Sequence, residues 1–254
     1  MTSVPNRKRR LLVSCQVFQR EIRDCLSRID CPVEVSFLPF GIHGESAEVA
    51  RVAIQQAVDA ADPSIHECVL VGYGLCNYGV RGLVARNLPL VIPRVHDCIG
   101  LLLGDRERYQ GFCQNQTGTY FQTSGWVDAA DVVPLASLDS GGFRAGAVND
   151  LSLLIERYGE DNGRYLNSVL NGQRYRQHMY ITSGVSEEDA LIDRTRQRAR
   201  QAGCSLQVER GTMRLLEALL AGPWDDDEFL RVPAGMQVDL AYDGRLLCWK
   251  EPIS

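Results

Sequence analysis

The chain has 254 residues, of which 45% are hydrophobic and 23% are charged, and its formal net charge at neutral pH is -5. This composition is typical of a globular protein with a substantial core, and it gives no reason to expect a nucleic acid or an anionic membrane as partner. No apolar run approaches the roughly 18 residues that a membrane-spanning helix needs, and no signal-peptide pattern follows the N-terminus. We therefore expect a cytoplasmic protein.

The first half of the chain predicts alternating strands and helices. After a basic tail over residues 1–10, which we expect to be disordered, strands are predicted over residues 11–15, 33–38, 68–71 and 90–92. Helices are predicted over residues 17–29 and 46–61, the second with one apolar face formed by Val49, Val52, Ala53, Ala57 and Ala60. This alternation indicates an α/β fold with a doubly wound parallel sheet, flavodoxin-like or Rossmann-like, in the strand order 2-1-3-4.

The rest of the chain predicts a second, smaller α/β lobe. Helices over residues 99–103 and 106–113, interrupted at Gly104 and Asp105, precede a strand and a turn over residues 118–126. A glycine-rich connection over residues 135–146 is the predicted boundary, so that residues 11–134 form the first lobe and residues 147–254 a second lobe packed on it. Its predicted elements are helices over residues 151–158, 165–176, 187–202 and 212–220 and strands over residues 179–182 and 205–209.

Three of the nine cysteines share a position in the predicted sheet. Cys15, Cys76 and Cys98 fall within a few residues of the carboxyl ends of strands one, three and four, and His43 follows strand two. Because the carboxyl ends of parallel strands meet at one edge of a sheet, we expect these side chains to converge there. Thiolates and imidazole suit zinc, and three cysteines can instead hold three irons of a [4Fe–4S] cluster. A metal site of these four residues is the prediction, and a site without metal stays open as the alternative.

His96 and Asp97 are the candidate catalytic residues beside this site. An imidazole can transfer protons near neutral pH, and Asp97 is also placed to cap the helix predicted over residues 99–103. The glycine-rich loop over residues 72–82 contains Cys76, and its backbone amides are expected to lower the pKa of that thiol. Such a thiol is reactive even without metal.

Arg81 and Arg94 flank the same predicted crevice. Guanidinium groups can bind a carboxylate or phosphate of a substrate, although surface salt bridges are an equally good interpretation of both residues. Together with Tyr73, which begins the loop after the third strand, they are the candidate substrate-binding residues.

These segments resemble an uncharacterised prokaryotic family of domains of unknown function. The shared motifs are Leu-Val-Ser-Cys15, Gly41-Ile-His43, Tyr73-Gly-Leu-Cys76, Ile92-Pro-Arg-Val-His96-Asp-Cys98-Ile, Leu-Leu-Gly104-Asp-Arg-Glu-Arg-Tyr109, Gly118-Thr-Tyr, Gly125-Trp126, Gly222-Pro-Trp224 and Val232-Pro-x-Gly235. Genes of this family are often associated with corrinoid-dependent methyltransferase systems. The resemblance therefore implies one-carbon metabolism, with a methyltransferase or a corrinoid protein as partner. The corrinoid-binding pattern Asp-x-His-x-x-Gly is absent from the sequence, so we expect that the chain does not carry the corrinoid itself.

The leading hypothesis is a metal-dependent protein that acts on a small thiol or methylated compound, as a methyltransferase-type or lyase-type enzyme. One alternative is a non-catalytic protein that delivers metal to, or activates, a partner methyltransferase. The other is a metal-free enzyme in which Cys76 or Cys98 is the nucleophile.

Overall fold

The structure, a computed structural model, describes residues 8–44, 46–76, 78–115, 118–132, 155, 159–163 and 175–252. Within these ranges the chain forms a mixed α/β arrangement with a five-stranded, mostly parallel central sheet and two smaller sheets. No helix of the described chain is long and apolar enough to cross a membrane.

The central sheet has the strand order β2-β1-β3-β4-β8. Its members are β1 (Arg9–Cys15), β2 (Val33–Leu38), β3 (His66–Gly72), β4 (Leu90–Pro93) and β8 (Phe229–Val232). The first four strands are parallel to one another and follow the predicted order, and β8 is antiparallel to β4. Strands β1, β3 and β4 are continuous apolar runs because both of their faces are buried, as is usual for parallel strands.

Strand β1 begins two residues earlier than the sequence predicts. Arg10 donates a hydrogen bond of 2.8 Å to Glu67 on β3, and its guanidinium lies 4.9 Å from the centroid of the Trp224 ring. These contacts extend the strand into the segment that was predicted as a disordered tail, of which residues 1–7 lie outside the described ranges.

The helix between β2 and β3, α2 (Ala47–Asp59), buries a different face from the one predicted. Its buried residues are Ala50, Ile54 and Val58, which pack toward the sheet. Two valines of the predicted face are instead exposed, Val49 at 49% and Val52 at 45%. The prediction was wrong because this alanine-rich helix has two apolar faces, and Ile54 and Val58 bring the larger branched side chains to the sheet.

A second parallel sheet has the order β5-β6-β7. It consists of β5 (Thr119–Gln122), β6 (Gln177–Thr182) and β7 (Ser205–Arg210). Helix α5 (Ser124–Val132) starts two residues after β5, where the sequence predicts a turn, and α6 (Glu188–Gln201) packs against β6 and β7. The buried core of the central sheet extends to Met179 and Ile181 of β6, so the two sheets share apolar packing.

The two sheets take strands from both sides of the predicted lobe boundary. β5 comes before that boundary and pairs with β6, which follows it, whereas β8 from the C-terminal part pairs with β4. The remaining C-terminal elements are α7 (Arg214–Ala221), β9 (Gln237–Leu240) and β10 (Leu247–Lys250). The boundary at residues 135–146 lies outside the described residues, as do nearly all residues of the helices predicted over 151–158 and 165–176.

A buried carboxyl group joins the two sheets. Glu21 lies on α1 (Gln19–Arg28) and is fully buried, and its Oε1 accepts hydrogen bonds from the hydroxyls of Ser124 (2.5 Å) and Ser183 (2.7 Å). Burial raises the pKa of this carboxyl, and the two hydroxyl donors counteract that shift only in part. Because Ser124 begins α5 and Ser183 follows β6, this one side chain connects α1 with a helix and a strand of the second α/β layer.

The chain immediately after β1 is in close contact with α5. A Cβ atom built on Gly125 lies 1.9 Å from the carbonyl oxygen of Val17, far inside van der Waals contact. Only glycine permits this approach. It brings the start of α5, including Trp126, next to the carboxyl end of β1.

Candidate functional site

The carboxyl ends of β1, β3 and β4 bring three cysteines to one edge of the central sheet. Cys15 is the last residue of β1, Cys76 lies in the loop after β3, and Cys98 begins α3 (Cys98–Leu103), which follows β4. The loop after β3 and the loop after β4 are hydrogen-bonded to each other beyond the ends of the strands. The backbone N–H of Cys76 donates to the carbonyl oxygen of His96 at 2.9 Å.

A glycine allows these two loops to approach so closely. A Cβ on Gly74 lies 2.8 Å from both the carbonyl oxygen of Val95 and the backbone nitrogen of Asp97. A larger residue at this position pushes the two loops apart, so the close approach of the loop after β3 to the loop after β4 depends on this glycine.

The three thiols act on one another electrostatically. Burial raises the pKa of Cys15 to about 11. Burial is also the main cause of the raised pKa of Cys76, followed by the charges of Cys98, Asp97 and Cys15. The pKa of Cys98 is raised by burial first, then by Asp97 and Cys15. In the metal-free protein all three groups are therefore neutral thiols at neutral pH.

The pKa of Cys76 shifts in the direction opposite to the one expected from the sequence. A backbone hydrogen bond at Gly74 does lower the pKa of Cys76, as expected, but burial beside two other thiols and an aspartate outweighs it, so the expected net direction was wrong. The N–H of Cys76 itself is already bonded to the His96 carbonyl and does not stabilise a thiolate. A free, activated Cys76 nucleophile has no support in this arrangement.

Tyr73 has a buried hydroxyl beside these thiols. The residue is 3% exposed, and among the described residues its hydroxyl oxygen has no hydrogen-bond partner of regular geometry. Burial raises the pKa of the phenol, and the charges of Cys15 and Cys76 raise it further, which places the hydroxyl near both sulfurs. A side-chain interaction with this hydroxyl also lowers the pKa of Cys15 in part, so the phenol is a direct neighbour of that thiol.

Asp97 caps α3, as the sequence predicts. Its Oδ1 accepts hydrogen bonds from the N–H groups of Ile99 (2.9 Å) and Gly100 (3.0 Å), and its Oδ2 accepts one from the Tyr109 hydroxyl at 2.6 Å. Burial raises the pKa of this carboxyl, and these hydrogen bonds lower it in part. Both oxygens are thus bound, and Asp97 positions the start of α3.

We expect Asp97→Ala to lower the free energy of unfolding by about 1 to 2 kcal/mol, because the helix loses its N-cap. Asp97→Asn keeps an acceptor of the same shape and is expected to cost much less. Urea unfolding of both variants measures the difference. Equal losses in the two variants contradict the assigned capping role.

His96 faces a cleft of about 310 Å³ instead of the thiols. Its ring stacks on Tyr109 with a centroid distance of 5.3 Å, and both residues line the cleft, whereas none of the three cysteines does. Burial is the main cause that lowers the pKa of His96, and Arg106 lowers it further, while Asp97 raises it. The imidazole is therefore neutral at neutral pH.

The two predicted substrate-binding arginines both bind protein atoms. Arg94 donates to the backbone carbonyls of Asp226 (2.8 Å), Arg245 (3.1 Å) and Leu247. Arg81 pairs with Asp239 at 3.0 Å on the surface. Arg81 thus forms a surface salt bridge, which is one of the two interpretations given above. Arg94 instead holds backbone carbonyls of the C-terminal part of the chain.

The fourth predicted ligand, His43, follows β2 in a short 3-10 turn, Phe40–Gly44, and its side chain is not among those described. Across the described part of the chain, no group of three or more His, Cys, Asp and Glu side chains is arranged to hold a metal ion as it stands. The three thiols thus lie at one edge of the sheet, but within the described residues they are not preformed as a complete set of metal ligands.

Two residues of the site were not predicted from the sequence. Trp126 makes a side-chain hydrogen bond that lowers the pKa of Cys98, and the Tyr109 hydroxyl binds Asp97. Both belong to the motifs shared with the resembling family, which was the only signal for them, because neither residue type indicates a thiol site by itself.

Fold and site together define an α/β protein with three cysteines, one buried and two partly buried, at the carboxyl edge of its central sheet. The sequence matches a family model over residues 37–220, which is more than half of the chain, and the chain belongs to this family, described as Protein of unknown function (DUF1638). No curated protein and no solved structure matches the sequence.

Proposed function

We propose that this chain is a metal-dependent protein in which Cys15, Cys76 and Cys98 bind zinc or a [4Fe–4S] cluster, with His43 as a fourth ligand candidate. It acts on a small thiol or methylated compound in one-carbon metabolism, in the cytoplasm. The observation that carries the proposal is the position of three interacting thiols at one sheet edge, beside the buried hydroxyl of Tyr73.

The chemistry of the donors fits a soft metal centre. Burial and mutual repulsion keep the three thiols protonated in the metal-free protein, and a cation reverses both effects, so metal binding is expected to release protons. Zinc and iron–sulfur iron are the ions that thiolates prefer. With three protein thiolates, a position stays open for a substrate sulfur or a water.

The remaining residues of the chain have defined roles under this proposal. When bound, the metal supplies Lewis acidity that favours the thiolate form of a substrate thiol. Tyr73 donates a hydrogen bond to a thiolate or to the substrate, Asp97 holds the start of α3 and hence Cys98, and His96 exchanges a proton with a substrate in the adjacent cleft. The parallel order β2-β1-β3-β4 supports a flavodoxin-like, doubly wound arrangement for the sheet that positions them.

The alternatives differ in what occupies the open position. In an accessory protein that delivers metal to a methyltransferase, or activates it, the protein fills every ligand position and activity requires the partner. A metal-free enzyme needs a thiolate nucleophile, and the raised pKa values of all three thiols argue against it.

Anaerobic purification followed by metal analysis and visible spectroscopy tests the proposal. We expect either one zinc per chain or a brown protein with iron and sulfide. Serine variants of Cys15, Cys76 and Cys98 are each expected to lose most of the metal, because removal of one of three thiolates weakens binding strongly.

The matched control for this experiment is Cys31→Ser, since Cys31 is a partly exposed free cysteine just before β2. This variant is expected to keep its metal. The proposed function is contradicted if the wild-type protein contains neither zinc nor iron after both aerobic and anaerobic purification. It is also contradicted if all three serine variants keep their full metal content.

A further inference from the structure

The cleft next to the thiol site has the size and lining of a small-molecule pocket. Its volume is about 310 Å³, and it contains the ring of His96 stacked on Tyr109, with Val95 and Leu215 as apolar surface. Tyr109 connects the cleft to the site, because its hydroxyl binds the carboxylate of Asp97, which acts electrostatically on two of the thiols.

Most charged groups in the cleft wall already bind other protein atoms. The guanidinium of Arg94 donates to backbone carbonyls. Glu228 accepts two hydrogen bonds from Arg214, at 2.6 and 2.9 Å, and Arg245 donates two hydrogen bonds to Oδ2 of Asp243. These groups have little capacity left for a ligand.

Two further acids of the wall are also balanced by their surroundings. Asp105 accepts a hydrogen bond of 2.7 Å from the N–H of Arg108 at the start of α4 (Arg106–Asn115). The carboxylate of Asp227 lies near the guanidinium of Arg245 and raises its pKa. The cleft wall carries three arginines and three acids in all, so its formal charges balance.

Arg106 and His96 differ from these groups. In the described part of the chain, neither the guanidinium of Arg106 nor the imidazole of His96 makes a hydrogen bond or an ion pair with protein atoms, and both line the cleft. Arg106 is close enough to act electrostatically on the His96 ring. Two nitrogen groups that line the same cleft and have free hydrogen-bonding capacity, one of them a permanent cation, select a ligand that carries an anionic oxygen group.

We propose that Arg106 and His96 form a subsite for the oxyanion group of the substrate, a carboxylate or a phosphate. Assigning this oxyanion to the substrate rests on the proposed function, whereas the binding itself does not. The subsite holds the oxyanion group of a small thiol or methylated compound in the cleft, whose wall includes Tyr109.

Titration of the full chain with sodium acetate and with sodium phosphate, at constant ionic strength, tests the subsite. The probe is the ring C–H resonances of His96 in the proton NMR spectrum, identified by their loss in His96→Asn. We expect saturable shifts with at least one anion. Arg106→Gln is expected to weaken binding by about tenfold, because it removes a charge-assisted hydrogen bond.

The control is Arg231→Gln. Arg231 is an exposed arginine of the neighbouring cleft and pairs with Asp226, so its loss is expected to leave anion binding unchanged. Saturation by acetate alone identifies a carboxylate ligand, and saturation by phosphate alone identifies a phosphate ligand. The proposal is overturned if neither anion gives a saturable shift or if Arg106→Gln binds as tightly as the wild type.

Metal content separates this proposal from the proposed function. Arg106→Gln is expected to keep the metal of the wild type, because Arg106 does not contact the thiols. Metal binding without anion binding refutes the subsite alone, and anion binding by a protein that never contains metal refutes the metal site alone.

Discussion

Replacement of Gly125 by alanine is expected to lower the free energy of unfolding by about 3 kcal/mol or more. The added Cβ meets the carbonyl oxygen of Val17 at 1.9 Å and its carbonyl carbon at 2.5 Å. Both are backbone atoms, so no side-chain rotation relieves the clash, and the start of α5 must separate from the end of β1. Urea unfolding of the full chain measures the loss.

Gly111→Ala is the matched control for this prediction. Gly111 also lies in a helix, α4, but a Cβ built there has no atom within 4 Å. Alanine is the better helix former, so this variant is expected to be more stable than the wild type by about 0.5 to 1 kcal/mol. If Gly125→Ala unfolds at the same urea concentration as the wild type, the close contact between α5 and β1 is incorrect.

Glu21→Ala is expected to lower the free energy of unfolding by about 2 to 4 kcal/mol. The substitution removes the common acceptor of two buried hydroxyls, those of Ser124 and Ser183, and leaves a cavity between the sheets. Glu21→Gln keeps an acceptor oxygen in the same place and is expected to cost far less. Unfolding curves recorded by circular dichroism compare the two, and equal losses contradict the bridging role of the carboxyl.

The same carboxyl also predicts the direction of a pH effect. Its pKa is raised in the folded chain by burial, whereas in the unfolded chain it is close to the ordinary value of about 4.3. Above that ordinary value the unfolded chain releases the proton while the folded chain retains it. The contribution of Glu21 to stability is therefore complete below about pH 4 and decreases as the pH rises toward the raised pKa.

Glu21→Gln has no titratable group at this position and is expected to lack that decrease. The measurement is the unfolding free energy of wild type and variant at several values between about pH 4 and pH 8, compared as a difference at each pH. A difference that stays constant across this range shows that Glu21 titrates with an ordinary pKa in the folded protein.

The strands of the central sheet were predictable because they are apolar runs bounded by glycine and proline. β2 matches its prediction residue for residue, β3 begins two residues earlier and ends one residue later than predicted, and β4 ends one residue later. The cap at Asp97 and the break between α3 and α4 at Gly104, where φ is +69°, were also predictable, since they depend on local backbone chemistry.

The candidate site was predictable in position but not in chemistry. The topological argument placed Cys15, Cys76 and Cys98 at one sheet edge, where the structure has them, and metal binding by these residues stays a prediction. The sequence did not indicate that burial raises the pKa of Cys76, nor that the ring of His96 turns into a separate cleft. Those properties depend on which residues surround a side chain, and the neighbours come from distant parts of the chain.

Local apolar patterns and the geometry of parallel strands were enough to predict the first four strands of the central sheet, their order and the edge at which its cysteines lie. The buried face of α2, the pairing of β8 with β4 and the contacts of Glu21 with Ser124 and Ser183 became visible only in the folded chain. These features depend on contacts between segments far apart in sequence, where several pairings satisfy the same local pattern and only packing of the whole chain selects one.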